Sequence, residues 1–302
     1  MFHDAAVNDA RFPEAAQDGK PESVSASTLA ELDQRREAVI RDNTRENMIR
    51  FWEAVCSLPQ WYFASRADTS ALAQGSLPPV LTLNSQERNM VAFFSTRERA
   101  SQAAARFEQN AGNPGDHAVL GMETRNALGF ICSMDQGIQH VLFDEVPGVC
   151  QGFGTELNVI PAMYAHFGFI PPVACLGRMA GPINAAGHPQ MFADAYKVLA
   201  HQDVLYMVQT AEGQIAMMEH PKGVVCPVFP DTNSAAAFKQ VDDNRIVSYT
   251  PHELGELDEL LSQRIGETYV GMIAHTSTTP IFIRGDLFRE VLAAVPKSQR
   301  GE

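Results

Sequence analysis

An internal repeat constrains the fold of this 302-residue chain more than any other feature of its sequence. When the two halves are aligned without a gap, Trp52 falls opposite Tyr196 and Trp61 falls opposite Leu205. Both segments predict an amphipathic helix, a short turn and then an aromatic-rich strand. Because a repeated pattern indicates a repeated structural unit, we expect two copies of one domain.

The repeat continues beyond the first strand of each copy. Residues 90–95 match residues 224–230 with small insertions, and both segments predict a buried strand. Further on, Gly129-Phe130-Ile131 aligns with Gly271-Met272-Ile273, and we expect both to open a strand. The second copy has an additional predicted helix at 251–263, which begins with Pro251, whereas the first copy has only 124–127 at that point.

These patterns predict an α+β fold, with two tandem copies of an α/β layered domain that contains a mixed β-sheet. We expect a short tail at each end of the chain. The first residues are polar and lack any apolar period, which is typical of a disordered segment. The predicted organisation is a disordered tail at 1–27, a first domain with N-terminal helices at 28–142, a Gly/Pro-rich connector at 143–190, a second domain at 191–295 and a tail at 296–302.

The connector is the predicted site of contact with a partner. Loops of this length inside a compact protein are unusual and tend to be functional. Its aromatic residues Tyr164, Phe167 and Phe169 are the kind of anchor that dominates binding energy at interfaces. The alternative is that these side chains cover an exposed sheet edge.

Residues 91–100 predict a hydrophobic strand that ends in Phe and a hydroxyl residue, followed by a helix with an acidic residue near its start. Ser95 is the predicted cap of this helix. This pattern, with the Gly-initiated segments at Gly129 and Gly271, resembles the SseB family. The resemblance covers both predicted domains and implies an α+β fold without a settled biochemical activity. In the second copy, Pro230 stands where the pattern has a hydroxyl residue.

Composition and charge restrict the class of partner. Asp and Glu total 36 against 23 for Lys and Arg, so the chain carries a net charge of −13 and repels a phosphate backbone. There is no apolar run of 18 residues, and residues 1–20 lack the apolar region of a secretory signal. We therefore expect a cytoplasmic protein whose partner is another protein, with no nucleic-acid and no membrane binding.

Catalytic and metal-binding motifs are weak. The five cysteines include no Cys-x-x-Cys pair, so neither a disulfide framework nor a zinc site is expected, and no cofactor is predicted. A glycine-containing segment at 152–157 lacks the third glycine of a dinucleotide-binding loop. Cys132 is the best candidate nucleophile, with His117 or His140 as its base, but a buried structural thiol is the interpretation that we favour. The polar loop 275–279 is a candidate anion-binding site, and the alternative is that it is an ordinary turn.

Taken together, these observations predict a non-catalytic interaction or regulatory protein, with no catalytic residue assigned. Two divergent copies of one scaffold without a shared catalytic constellation suit a binding surface better than an active site. The alternatives are an enzyme that uses thiol chemistry at Cys132, and a secretion-associated or toxin-neutralising protein whose acidity steers it toward a basic partner. The oligomeric state is left open.

Overall fold

The computed structural model describes residues 24–66, 80–85, 88–111, 117–134, 137–186, 189–238, 243–274 and 280–295. The fold is α+β, as predicted. Contacts divide the chain into two compact units, Met1–Phe167 and Gly168–Glu302, called unit 1 and unit 2. Each predicted tail lies partly or wholly outside the described residues.

Unit 1 begins with two helices and then alternates strands with helices. Its described elements are α1 (Ala26–Arg41), α2 (Arg45–Cys56), β1 (Gln60–Arg66), β2 (Thr82–Ser85), β3 (Arg88–Phe93), α3 (Arg97–Ala111), β4 (His117–Glu123), α4 (Thr124–Ser133), β5 (Ile138–Phe143), β6 (Phe153–Glu156) and α5 (Val159–His166).

Unit 2 repeats this order element by element. Its described elements are α6 (Leu176–Ala186), α7 (Pro189–Ala200), β7 (Leu205–Gln209), β8 (Met218–His220), β9 (Gly223–Val228), α8 (Thr232–Phe238), β10 (Arg245–Tyr249), α9 (Pro251–Ile265), β11 (Tyr269–Ala274), β12 (Ile281–Ile283) and α10 (Gly285–Ala294).

Strand pairing is also the same in both units. In unit 1 a four-stranded sheet has the order β2-β3-β5-β6, and β1 pairs with β4 in a separate antiparallel ribbon. In unit 2 the corresponding order is β8-β9-β11-β12, with β7 paired to β10. The two central strands of each four-stranded sheet run parallel, and the outer strands pair antiparallel to them. The predicted mixed sheet is therefore present in each copy.

The proposed alignment of the repeat agrees with these pairings at its start. Trp52 lies in α2 and Tyr196 in α7, and both are buried. An isolated bridge joins Tyr62 of β1 to Phe94, and the matching bridge joins Tyr206 of β7 to Phe229. Each bridge connects the two-stranded ribbon to the end of the central strand, so the units share register as well as element order.

Buried aromatic rings form the core of unit 1. The ring centroid of Phe93 on β3 lies 4.5 Å from that of Trp61 and 5.1 Å from that of Phe143. Phe51 of α2 contacts Phe143 edge-on, with 5.7 Å between their centroids. These four side chains are fully buried and connect the N-terminal helices to the central parallel strands.

One predicted element is wrong in type. Gly129-Phe130-Ile131 belongs to helix α4, not to a strand, and the true counterpart of the Gly271 strand in unit 1 is β5. Seven residues of α4, from Thr124 to Cys132, are buried, and its uninterrupted apolar run from Ala127 to Cys132 resembles a buried strand. The first copy therefore has the helix that the sequence comparison assigned to the second copy alone.

The predicted connector at 143–190 contains regular structure. Strand β6 and helix α5 complete unit 1 in the same way that β12 and α10 complete unit 2, and α6 then opens unit 2 as α1 opens unit 1. The structure thus places the division after Phe167, within the predicted connector. The short elements of this segment were not predicted because its glycines and prolines lower the propensity for helix and strand.

Unit 2 has a buried tyrosine whose hydroxyl connects α7 to the end of the sheet. The Tyr196 hydroxyl donates a 2.9 Å hydrogen bond to the carbonyl oxygen of Phe282 and accepts a 3.1 Å bond from the backbone N–H of Arg284. Its ring packs edge-on against Phe288 of α10. The hydroxyl therefore satisfies two backbone groups next to the core.

Replacing Tyr196 by Phe is expected to destabilise the protein by about 1–2 kcal/mol, because both backbone groups lose their partner while the ring is kept. Urea unfolding followed by circular dichroism measures the loss. Tyr206→Phe is the matched control and is expected to change the free energy of unfolding by less than about 0.5 kcal/mol. Equal effects of the two substitutions would contradict the role given to the Tyr196 hydroxyl.

Candidate functional site

Asp144 lies at the point where the two central strands of unit 1 end. It follows β5 directly, and Ser95 follows β3 after one further residue. Asp144 is fully buried, and one carboxylate oxygen accepts a 2.8 Å hydrogen bond from the Ser95 backbone N–H. The other oxygen accepts a 2.7 Å bond from the Ser95 hydroxyl. The carboxyl ends of parallel strands are where α/β sheets commonly place their sites.

Two arginines and a second aspartate extend this cluster. Arg99 of α3 donates a 2.6 Å hydrogen bond to Asp144 and two bonds, of 2.6 and 2.8 Å, to Asp33 of α1. Arg36 donates from Nη1 to Asp33 at 2.7 Å and lies 3.6 Å from the Asp144 carboxylate. Four charges of balanced sign thus connect α1, α3 and the end of β5, and we call these residues with Ser95 the ionic cluster.

The backbone of Asp144 is held in an uncommon conformation. Its φ of 55° is in the left-handed region, which Asp tolerates better than most residues. This geometry turns the carboxylate back toward Ser95 and the first turn of α3, where negative charge is favourable. Burial raises the pKa of the Asp144 carboxyl, and the charge of Arg99 and the bonds from Ser95 oppose that rise.

Ser95 does not cap α3 as predicted. Its hydroxyl donates to Asp144, and the hydroxyl of the next residue, Thr96, accepts the backbone N–H of Arg99 at 3.1 Å. In unit 2 the equivalent cap is Asp231, which accepts the backbone N–H of Ser234 at 2.7 Å. The cap is thus shared by both units, whereas the serine that binds Asp144 is not, since Pro230 precedes Asp231.

A groove of about 450 Å³ borders the ionic cluster, and we call it the α1 groove. One wall is the last two turns of α1 and the other is a tight turn after β5; its lining residues are Arg36, Glu37, Ile40, Arg41, Val149, Cys150 and Gln151. Val149 is 56% exposed, which is the highest value among the large hydrophobic side chains described as exposed. Buried Arg36 forms part of this wall, and its Nε has no hydrogen-bond partner.

The turn opposite α1 is well ordered by hydrogen bonds. Val146 and Cys150 exchange two backbone hydrogen bonds of 3.0 Å, and Gly148 between them has a φ of 71°. The Cys150 thiol donates to the backbone carbonyl of Asp144 at 3.0 Å. Burial raises the pKa of this thiol, although Arg36 and Arg99 act in the opposite direction. The turn therefore presents Val149 on a backbone that is attached to the ionic cluster.

The predicted partner contacts lie in different environments. Tyr164 is buried in α5, and Phe167 is half-buried at the C-terminal cap of that helix, where its ring contacts His166. Phe169 is 38% exposed and belongs to unit 2. Their role as a partner site stays a prediction.

The α1 groove was missed because its two walls are separated by more than 100 residues in the sequence.

The candidate nucleophile is in a different element from the one expected. Cys132 lies in helix α4 and is 4% exposed. His117 lies on β4 with its Nε2 3.1 Å from the Ser101 hydroxyl, and His140 lies on β5 with a buried Nδ1 that has no hydrogen-bond partner. The burial of Cys132 agrees with the structural interpretation of this thiol.

Other motifs do not form sites in the described part of the chain. Gly152 precedes β6 and Gly154 lies within it. A Cβ added to Gly152 would lie 2.7 Å from the carbonyl oxygen of Phe143, and one added to Gly154 would lie 2.8 Å from that of Val141. These glycines thus permit close strand packing, which is a different role from a phosphate loop. Among the described residues, no group of three His, Cys, Asp or Glu side chains could hold a metal ion. The loop 275–279 lies outside the described residues.

No described helix is long and apolar enough to cross a membrane.

No protein-family model matches the chain, and no curated protein matches it. Two solved structures are similar: Anabaena Tic22, described as a protein-transport protein, and Tic22 from Plasmodium falciparum. Their identities are 12% and 8%, and their TM-scores are 0.20 and 0.18. The alignments cover 82% and 74% of this chain and 98% and 91% of the other two. At these TM-scores the similarity carries no conclusion about fold or function.

Replacing Asp144 by Asn is expected to destabilise unit 1 by about 3 kcal/mol, because it removes the buried charge that Arg99 and Arg36 face. Both tryptophans, Trp52 and Trp61, lie in unit 1, so tryptophan fluorescence during urea unfolding reports the loss there. Asp33→Asn is the control and is expected to cost about 1 kcal/mol, since that carboxylate is 31% exposed. A larger effect at Asp33 than at Asp144 would show that burial of the charge does not decide stability here.

Proposed function

We propose that this protein is a cytoplasmic, non-catalytic interaction protein similar to the SseB family, and that its α1 groove binds a segment of another protein. The observation that carries the proposal is the exposure of Val149 beside Ile40, on a turn that the ionic cluster holds in place. An apolar side chain displayed on a rigid support is suited to binding, because little conformational entropy is lost on association.

The charges around the groove supply specificity. Glu37 and Arg41 are exposed, and neither forms an ion pair with another described residue. A bound segment can therefore pair with both without breaking an existing contact. Charged groups at the rim of an apolar contact mainly select the partner and its orientation, while the apolar centre contributes most of the affinity.

The chemistry of the neighbouring groups favours binding over catalysis. Asp144 already accepts hydrogen bonds from Ser95 and Arg99, so its carboxylate is occupied by structural partners. The raised pKa of Cys150 keeps its thiol protonated at neutral pH, and the thiolate is the nucleophile. The low exposure of Cys132 also supports the proposal, because a nucleophile must reach its substrate.

Alkylation by iodoacetamide distinguishes the binding proposal from thiol catalysis. In the folded protein Cys150 is expected to react before the other four cysteines, which are buried, and its rate should rise about tenfold per pH unit from pH 7 upward as the thiolate forms. Peptide mass spectrometry measures the site and the rate, with Cys150→Ser as the control. Fast, selective labelling of Cys132 at pH 7 would instead support the alternative of an enzyme.

Replacing Val149 by Asp is expected to abolish retention of the partner without lowering stability by more than about 0.5 kcal/mol, since the side chain is exposed. Affinity purification of the full chain from the native host, with quantitative mass spectrometry, measures retention. Val204→Asp is the matched control, because Val204 is also an exposed valine but lies in unit 2. The proposal fails if both variants retain the same proteins as the unmodified chain.

A further inference from the structure

Helix α9 of unit 2 has an apolar face that the described residues of its own unit leave partly exposed. Leu254, Gly255 and Asp258 are buried and form the inner face of this helix. On another side of the helix Leu260 is 43% exposed, and Leu257 and Leu261 beside it are only half-buried. Three leucines next to one another on a helix surface indicate a contact face, because isolated exposed leucines are ordinary but contiguous ones are not.

Charged residues stand on both sides of this face. Glu256 precedes Leu260 by four residues and Arg264 follows it by four, so the three side chains lie along one row of the helix surface. Both charged side chains are exposed, and neither forms an ion pair with another described residue. The row therefore reads acidic, apolar, basic, with both charges available to a partner.

This row is complementary to itself when it is reversed. If a second α9 lies antiparallel with Leu260 opposite Leu260, then Glu256 of each helix lies opposite Arg264 of the other. A uniformly basic or acidic segment would match only one end of the row and would be repelled at the other. The charge pattern thus selects a second copy of the same chain over a partner of single sign.

We propose that two copies of this protein associate through α9, antiparallel about a two-fold axis at Leu260. Leu257, Leu260 and Leu261 of both copies form the apolar centre, and two Glu256–Arg264 pairs close its ends. A contact made by a single helix from each copy is smaller than a standard stable interface of about 1,600 Å². The association is therefore reversible and depends on concentration, and it is independent of the function proposed for the α1 groove.

Sedimentation velocity of the full chain, from about 10 µM to about 1 mM, tests the proposal. The weight-average sedimentation coefficient should rise with concentration for the unmodified protein and stay at the monomer value for Leu260→Asp. Circular dichroism of each variant verifies that it is folded. Leu260 is exposed, so the substitution leaves the core unchanged.

Charge exchange supplies the decisive comparison. Glu256→Arg and Arg264→Glu should each abolish self-association, because like charges then face each other at both ends. An equimolar mixture of these two variants should associate again, since each end then has one Arg and one Glu. Glu259→Arg is the matched control for Glu256→Arg: it makes the same change in net charge at an exposed position outside the row, and it should associate like the unmodified protein.

Two results would overturn the proposal. The first is an unmodified protein that remains monomeric up to about 1 mM. The second is an equimolar mixture of Glu256→Arg and Arg264→Glu that stays monomeric while the unmodified protein associates, because the interface would then lie elsewhere or in another orientation.

Discussion

Parallel pairing of two central strands is the constraint on which each unit depends. β3 pairs with β5 in unit 1, and β9 pairs with β11 in unit 2. Parallel neighbours cannot be joined by a tight turn, so the chain must leave the sheet and return through a crossover. In both units this crossover is helix, strand and helix, and its strand pairs with the first strand of the unit. The repeated element order follows from this requirement.

The two units share this scaffold but differ in the surfaces built on it. Ser95 in unit 1 binds the buried Asp144, and Pro230 at the equivalent point in unit 2 has no hydroxyl or N–H to do so. The ionic cluster and its groove are accordingly features of unit 1. Conversely, helix α4 is buried along most of its length, whereas its counterpart α9 has an exposed Leu260 with half-buried Leu257 and Leu261 beside it. Divergence of a duplicated scaffold thus produced two different candidate contact surfaces.

Several elements could be predicted because their signals are local. The predicted helix at 251–263 matches α9, because Pro251 stands at the first helical position, and the structure adds a capping box between Thr250 and Glu253. Helix α4 was missed because its uninterrupted apolar run from Ala127 to Cys132 resembles a buried strand. Short elements such as β6 and α5 were missed because four- and eight-residue segments leave little pattern to detect.

The α+β class and the start of α9 could be predicted because they depend on residue periodicity and on contacts within a few positions. The candidate site depends instead on contacts between residues that are far apart in the sequence. Ser95 and Asp144 are 49 residues apart, and Arg99 and Asp33 are 66 apart. Charged residues are common along the chain, and nothing local distinguishes an aspartate that becomes buried from one that remains in solvent. The parallel pairing of β3 and β5 brings Asp144 next to Ser95, and the hydrogen bonds and charges gathered there offset part of the cost of burying it.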